Sequence, residues 1–294
     1  MLLATTLIAA TTLLAKALGT DTLGPRMHPF QITFGRFLFA GIVVAVAVAI
    51  LRPAISTRRW RVHLGRVLFG WMGVTLMFAS VATIPLAEAT AISFLNPVIA
   101  MILAIPLLGE RVGPIRWFAA AISVAGAILL LRPGMGVIAP GALLALGAAL
   151  ALGIEVTFIK RLTRTDATLA ILVWSNGIGL VLATATALPV WQAPTQGQWA
   201  AMAALGLAMA GAQFCFASAL ARADASLVTP FSYLTLVFAG LYDAVIFGVV
   251  PDAVGWAGAT LIVGGAAVLA WREGRARRAQ ATSTLPPAPP ARPG

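Results

Sequence analysis

The chain has 294 residues, of which 60% are hydrophobic and only 10% are charged. A soluble domain usually carries about 25% charged residues, so this composition excludes an ordinary water-soluble protein and indicates a chain that lies mostly in lipid. The single cysteine, Cys215, excludes a disulfide framework and a thiolate metal site. The formal net charge of +11 raises the question whether the basic residues bind nucleic acid or set a membrane topology.

Long apolar stretches dominate the chain from its first residues. A membrane-crossing helix needs about 20 predominantly apolar residues. Windows of that length predict ten spans, roughly residues 2–19, 32–51, 64–84, 89–109, 115–131, 137–159, 167–190, 199–220, 227–250 and 253–271. The first span lacks a charged leading region, which argues against the alternative that it is a cleaved signal peptide. The Arg-rich and then Pro-rich composition of residues 273–294 predicts a disordered cytoplasmic tail.

The basic residues predict the orientation of the spans, because cytoplasmic loops retain Lys and Arg. Nearly all of the 20 Lys and Arg residues fall in the connections after spans 2, 4, 6 and 8 or in the tail, whereas the opposite connections hold Arg26 and Arg132. The sequence therefore predicts that both termini are cytoplasmic. Since topology accounts for the positive charge, we expect a lipid bilayer and no nucleic acid as partner.

The chain contains an internal repeat. Residues 93–127 align without gaps with residues 232–266, and the alignment pairs Trp117 with Trp256 and Gly126 with Gly265. The same shift places span 1 on span 6, so each repeat holds five spans. An odd number of spans makes the second repeat start from the other side of the membrane, which predicts two inverted halves. Inverted repeats are typical of secondary transporters.

Three segments carry a resemblance to a known family: HPFQITFGRFLFAG in span 2, AEATAISFLNPVIAMILAIPLLGERVG in span 4 and PFSYLTLVFAGLYDAVIFG in span 9. Over about residues 1–272, the chain resembles EamA-type members of the drug/metabolite transporter superfamily. The resemblance implies an all-α integral membrane fold in which ten helices form two inverted five-helix repeats around a central cavity. We expect repeats over 1–133 and 137–272, no cofactor and no metal.

Within that family, the chain is most similar to bacterial exporters of amino acids, including the aromatic amino acid exporter group. That likeness implies a bacterial inner membrane location and a monomer. One feature departs from the family, because Gly248 is followed by valine where many members repeat the Gly-Glu ending of span 4. Glu110 and Arg111 are accordingly predicted to be one-sided cytoplasmic anchors.

Asn96 and Pro97 interrupt the apolar run of span 4 near mid-membrane. A proline has no N–H, so the carbonyl of Ser93 loses its helical donor. Such a break has to face protein or a wet cavity. Two interpretations follow: Asn96 and Pro97 line a substrate cavity, or they form a packed kink in which Asn96 donates to the freed carbonyl.

Five ionisable side chains that lie within or directly beside spans are candidates for function, because charge in a membrane span suggests function by default. Lys16, Arg36, Glu88 and Asp243 fall near the predicted outer third, so we expect them to form a charge cluster that closes an outer gate. The alternative is that they extend individually to the interface. Glu155 lies toward the inner side, where it could bind a proton or a substrate ammonium group or pair with the basic loop.

Aromatic and polar side chains in the predicted cavity-forming spans complete the candidate site. An apolar pocket with a few polar groups suits a small amphipathic ligand, although each of these residues could also serve packing. The cavity candidates, besides Ser93, Asn96 and Pro97, are Trp71, Phe78, Phe94, Trp174, Asn176, Gln213, Phe214, Ser232, Tyr233 and Thr235.

These features predict a carrier that moves a small metabolite, most simply an aromatic or hydrophobic amino acid, outward by alternating access. A carrier of a nucleotide-sugar or lipid-linked substrate is the first alternative. An integral-membrane enzyme is the second, although the sequence shows no catalytic constellation of His, Asp, Cys and Ser. The sequence also has no G-x-x-x-x-G-K-[ST] loop through which ATP could drive transport directly.

Overall fold

The computed structural model describes residues 2–52, 57, 59–108, 113–131, 139–162, 166–222 and 234–283. These residues form helices and connecting turns, which confirms the predicted all-α class. The helices are α1 (Leu2–Gly19), α2 (Pro29–Leu51), α3 (Trp60–Val81), α4 (Leu86–Ser93), α5 (Asn96–Leu108), α6 (Pro114–Leu131), α7 (Pro140–Leu162), α8 (Thr168–Ala187), α9 (Gln196–Arg222), α10 (Leu234–Tyr242) and α11 (Ala253–Ser283). A 3₁₀ turn at Leu188–Val190 follows α8, and a π-helical turn at Asp243–Phe247 follows α10.

Each predicted span overlaps a helical segment of the described chain. Six segments are long and apolar enough to cross a membrane: Leu2–Gly19, Pro29–Leu51, Trp60–Val81, Leu86–Leu107, Pro140–Ile159 and Leu169–Val190. Shorter apolar helices lie at Trp117–Leu130, Leu234–Phe247 and Ala253–Gly265.

Two elements differ from the sequence prediction. Span 4 is two helices, because α4 ends at Ser93 and α5 begins at Asn96. Pro97 explains this boundary, since it has no N–H to donate to the carbonyl of Ser93. The last helix continues to Ser283, so the first part of the predicted disordered tail is helical. Residues 284–294 lie outside the described residues.

Helices α6 and α11, the fifth helices of the two repeats, cross at close range. A β-carbon on Gly126 would lie 2.7 Å from the carbonyl oxygen of Gly258, and one on Gly265 would lie 2.5 Å from the carbonyl oxygen of Ala119. The repeat shift of 139 residues maps Ala119 to Gly258 and Gly126 to Gly265. Each contact is therefore the repeat image of the other.

The centre of this crossing joins two equivalent positions. Ser123 Oγ donates to the carbonyl of Ile262 over 3.3 Å, and the two residues are themselves separated by 139 positions. The helices run antiparallel, because the earlier contact on α6 meets the later contact on α11. Equivalent contacts in an antiparallel pair require a two-fold axis perpendicular to the helices. This is the geometry expected of inverted repeats.

The remaining helices follow the same pairing. Helix α3 packs along α7, and its repeat counterpart α9 packs along α1, the counterpart of α7. Helices α2 and α8 are also repeat counterparts, and they pack against each other. A buried apolar core between the halves includes Leu18, Ile32, Phe78 and Met202. This arrangement brings charged residues from α2, α3 and α7 together.

Candidate functional site

Helices α3 and α7 hold a buried ion pair between their apolar faces. Arg66 Nη2 lies 3.5 Å from Glu155 Oε1, and the two side chains are only 10% and 16% exposed. Arg36, from α2, interacts electrostatically with both residues. We call Arg36, Arg66 and Glu155 the central cluster. It contains two basic side chains and one acidic side chain.

Glycines on α3 create the space for the central cluster. A β-carbon on Gly70 would lie 2.7 Å from Glu155 Oε1, and one on Gly73 would lie 2.8 Å from Leu152 Cγ. Arg66 lies one turn before Gly70 on α3, so the glycine faces the same neighbouring helix as the guanidinium. The absence of a side chain at Gly70 therefore allows the Glu155 carboxylate to lie against α3 beside Arg66.

Several donors of α3 are buried without a partner among the described residues. They are Nε and Nη1 of Arg66 and the indole Nε1 of Trp71. The Trp71 ring stacks on Phe30 of α2, with ring centroids 5.8 Å apart and an interplanar angle of 18°. A buried donor without an acceptor costs about 1–3 kcal/mol. The three donors could therefore bind carbonyl or carboxylate oxygens of a ligand.

A second buried polar group, which sequence reasoning missed, joins the start of α3 to the segment before α8. The His63 side chain is fully buried, and its Nε2 lies 2.8 Å from Asp166 Oδ2. Thr57 Oγ1 donates to the same carboxylate oxygen over 2.7 Å. The Trp174 ring lies beside His63, with centroids 5.8 Å apart. His63 and Asp166 are 103 positions apart, so no local motif signals their pairing.

Asn96 has the geometry of a packed kink. Its Nδ2 donates to the carbonyl of Ser93 over 2.8 Å, which replaces the hydrogen bond that Pro97 cannot make. A β-carbon on Gly153 of α7 would lie 3.0 Å from the Asn96 carbonyl oxygen, so α5 and α7 approach closely here. This donor of Asn96 is used across the break between α4 and α5, which is the geometry of the second sequence interpretation.

The four residues predicted to close an outer gate do not form one cluster. Lys16 Nζ pairs with Asp243, whose side chain is fully buried. Arg36 interacts electrostatically with Glu155 and Arg66. Glu88 lies beside the first turn of α11, where its Oε1 would be 3.2 Å from a β-carbon on Gly255. The structure thus brings two of the four residues, Lys16 and Asp243, together. Closure of an outer gate stays a prediction.

Glu155 pairs with Arg66 of α3. The alternative that it pairs with the basic loop after α7 concerns Lys160 and Arg164, whose side chains lie outside the described residues. The turn of α7 that carries Glu155 faces α3, so the carboxylate is directed into the bundle.

Other predicted cavity residues lie in different environments. Phe78 belongs to the apolar core and Phe94 packs against a second core cluster. Thr235 is buried, and Gln213 is half-buried. Phe214 is 73% exposed and faces away from the interior, so the prediction that it lines a cavity is wrong.

Asn176 lies in α8 beside an apolar groove between α2 and α8. Its Nδ2 donates to the carbonyl of Leu172 over 2.9 Å, as is common for polar side chains within helices. The groove has a volume of about 470 Å³ and includes Leu38, Val48 and Leu180. Glu110, Arg111, Ser232 and Tyr233 lie outside the described residues.

The chain matches a family of known membrane proteins along nearly all of its length. A model of the EamA-like transporter family matches residues 1–132 and 139–271. A crystal structure at 24% sequence identity shares the fold, with a TM-score of 0.64 over 91% of this chain and 95% of the solved chain.

Curated relatives are similar in sequence. A riboflavin transporter of Rhizobium johnstonii is 35% identical over 226 residues, which cover 74% of this chain and 72% of that protein. A riboflavin transporter of Vibrio cholerae is 31% identical and covers 78% of each chain. An S-adenosylmethionine uptake transporter of Rickettsia prowazekii is 28% identical over 242 residues and covers 82% of each chain. The chain is therefore a multi-pass membrane protein and belongs to the EamA-like transporter family.

Proposed function

We propose that the chain is a secondary transporter that carries a small heteroaromatic metabolite with carbonyl or carboxylate oxygens by alternating access. The named substrates of its relatives, riboflavin and S-adenosylmethionine, share a planar heteroaromatic system. They also carry acceptor oxygens, as ring carbonyls in riboflavin and as a carboxylate in S-adenosylmethionine. These relatives do not support the predicted amino acid substrate.

The observation that carries the proposal is the central cluster of Arg36, Arg66 and Glu155. Charged groups are costly within apolar helices and mark substrate or ion pathways when they occur there. The unpaired donors of Arg66 and Trp71 add a reason for a ligand, because an acceptor oxygen would offset the cost of their burial. The two basic side chains favour a ligand with electron-rich oxygens.

Aromatic rings near the cluster support a planar ligand. Trp71 and Phe30 present a stacked pair, and Trp174 lies half-buried beside His63. Aromatic side chains bind flat rings by offset stacking or edge contacts. Together with the donors of α3, they form the combination of apolar surface and few polar groups that small-ligand sites use.

A counterflow assay on the purified full chain in proteoliposomes tests the substrate class. Vesicles are loaded with unlabelled compound, and exchange of external labelled riboflavin, S-adenosylmethionine, phenylalanine, tryptophan and a nucleotide-sugar is measured with and without a pH gradient. We expect riboflavin or S-adenosylmethionine to exchange faster than both amino acids. Exchange of only an amino acid or only the nucleotide-sugar would show that the proposed class of heteroaromatic substrates is wrong.

One variant of the donor set and one control connect the substrate to the site. Trp71→Phe keeps an aromatic ring and removes the indole N–H, so we expect a raised KM for the exchanged compound. Trp117→Phe is the matched control, because Trp117 is 49% exposed on α6, away from the central cluster. Equal KM values for the two variants and the parent protein would remove Trp71 from the site.

A further inference from the structure

We propose that Lys16 and Asp243 are positioning residues for transport that hold the predicted outer ends of α1, α4 and α10 together, and that opening on that side requires their separation. The proposal rests on alternating access and on the orientation predicted from the basic residues. It does not depend on which metabolite is carried.

A single carboxylate joins three helical segments. Asp243, in the π-helical turn after α10, accepts a hydrogen bond from Lys16 Nζ of α1 on Oδ1 and one from the Leu86 backbone N–H of α4 on Oδ2. The Asp243 side chain is 0% exposed and the Lys16 side chain is 10% exposed. The Lys16 ammonium also lies 4.6 Å from the centroid of the Phe247 ring, a favourable cation–π distance.

Each partner stabilises the contact with Asp243 in a different way. Lys16 provides a full positive charge, and Leu86 N–H is the first orphan donor of α4, where the helix dipole is positive. A buried carboxylate is stable only when it is paired and hydrogen-bonded. The contact is therefore stable when all three segments meet and is lost when any of them moves away.

The contact also crosses between the two repeats. Helices α1 and α4 belong to the first repeat, whereas Asp243 belongs to the second. Rocking of one repeat against the other, as in inverted-repeat transporters, has to change this contact. The π-helical turn and Gly248, with φ of +66° directly after it, are features that occur at functional helix ends.

The repeat shift shows that the Lys16–Asp243 ion pair has no equivalent at the corresponding positions of the other repeat. A shift of 139 residues maps Lys16 to Glu155 and maps Asp243 back to Ala104. Glutamate and alanine cannot form an ion pair, and Glu155 pairs with Arg66 instead. The equivalent positions at the opposite end therefore cannot form an ion pair. The Lys16–Asp243 ion pair accordingly stabilises the conformation that is closed on the predicted outer side.

Reversible crosslinking tests the proposal. In a Cys215→Ser background, Lys16→Cys and Asp243→Cys are combined and treated in proteoliposomes with a short bifunctional methanethiosulfonate. We expect exchange to fall at least about tenfold, the equivalent of about 1.4 kcal/mol, and to recover on reduction. A monofunctional reagent controls for modification alone. The exposed pair Asp21 and Arg26, changed and crosslinked in the same way, is the matched control and is expected to retain exchange.

External labelling gives a readout that does not require transport. Ala239→Cys places a thiol at a fully buried position one turn before Asp243. We expect Lys16→Met or Asp243→Asn to increase its labelling by a membrane-impermeant maleimide added outside. Unchanged exchange after verified crosslinking, or unchanged labelling in both charge-removing variants, would overturn the proposal. Where the double-cysteine protein does not exchange before crosslinking, the labelling result decides.

Discussion

The carboxylate of Glu155 occupies the space that a side chain at Gly70 would fill, since a β-carbon on Gly70 would lie 2.7 Å from Oε1. We predict that Gly70→Ala moves the carboxylate away from Arg66 and lowers exchange about tenfold, the effect of about 1.4 kcal/mol. Because the substitution separates a buried ion pair but leaves both charges in place, we expect the melting temperature to fall less than after removal of either charge.

Gly41→Ala controls for the change of glycine to alanine in a membrane helix, because a β-carbon at Gly41 has no neighbour within 4 Å. Exchange and melting temperature are measured for both variants in the same vesicles and detergent. Equal exchange by the two proteins would show that the position of Glu155 beside α3 does not matter for transport.

The Arg66–Glu155 pair predicts that the stability losses of substitutions at these two residues do not add up in the double variant. Removing one partner of a buried pair leaves a charge without compensation, which costs about 3–5 kcal/mol. We therefore expect Arg66→Gln and Glu155→Gln each to lower the melting temperature clearly, and the double variant to lose less than the sum. The double variant is expected to regain only part of the lost stability. Arg36 also interacts electrostatically with Glu155, and this interaction is lost in every variant without Glu155.

The exposed pair between Asp21 and Arg26, 65% and 73% exposed, is the control for this cycle. Asp21→Asn is expected to cost no more than about 1 kcal/mol, since surface pairs contribute little. Additive losses at Arg66 and Glu155, measured by thermal unfolding in detergent, would mean that the two charges are not energetically coupled.

The hydrogen bond from Asn96 to Ser93 predicts a structural phenotype. Asn96→Ala leaves the Ser93 carbonyl without its donor, which is expected to cost about 1–3 kcal/mol of stability. Because the Asn96 donor is used across the break between α4 and α5, we expect the KM of the folded variant to stay close to that of the parent.

Ser93→Ala is the local control, since it removes the hydrogen bond from Ser93 Oγ to the Thr90 carbonyl and leaves the Asn96 contact in place. Thermal unfolding and exchange kinetics are measured on both proteins. A stable Asn96→Ala protein with a raised KM would instead support the cavity interpretation of the Asn96-Pro97 break.

Two neighbouring glycines of α11 test the contact between the repeats. A β-carbon on Gly265 would lie 2.5 Å from the Ala119 carbonyl oxygen, whereas one on Gly264 would meet nothing within 4 Å. We predict that Gly265→Val destabilises the protein by about 1–3 kcal/mol, because the rigid backbone of α6 has to move. Gly264→Val is expected to melt close to the parent protein.

Both substitutions add the same side chain to the same helix, so their difference isolates the close approach to α6. Thermal unfolding in detergent provides the measurement. Similar melting temperatures for the two variants would show that α6 and α11 do not depend on this contact.

The sequence by itself determined the helical class, the approximate spans, the repeat and the family resemblance. A helix in lipid satisfies its own backbone hydrogen bonds, so its existence and length follow from a local apolar stretch. The break at Asn96-Pro97 was also predictable, because a missing N–H is a property of one residue. Charge and similar depth placed Lys16 and Asp243 among four candidate partners, but they did not indicate which of the four would pair.

Only the tertiary structure decided which face of each helix meets which neighbour. Lipid and protein interior are both apolar, so a membrane helix lacks the polar stripe that marks the exposed face of a soluble helix. Phe214 was for this reason placed in a cavity although it faces outward. The rotations of α2, α3 and α7 likewise bring Arg36 and Glu155 together with Arg66, and they depend on packing between residues far apart in the chain.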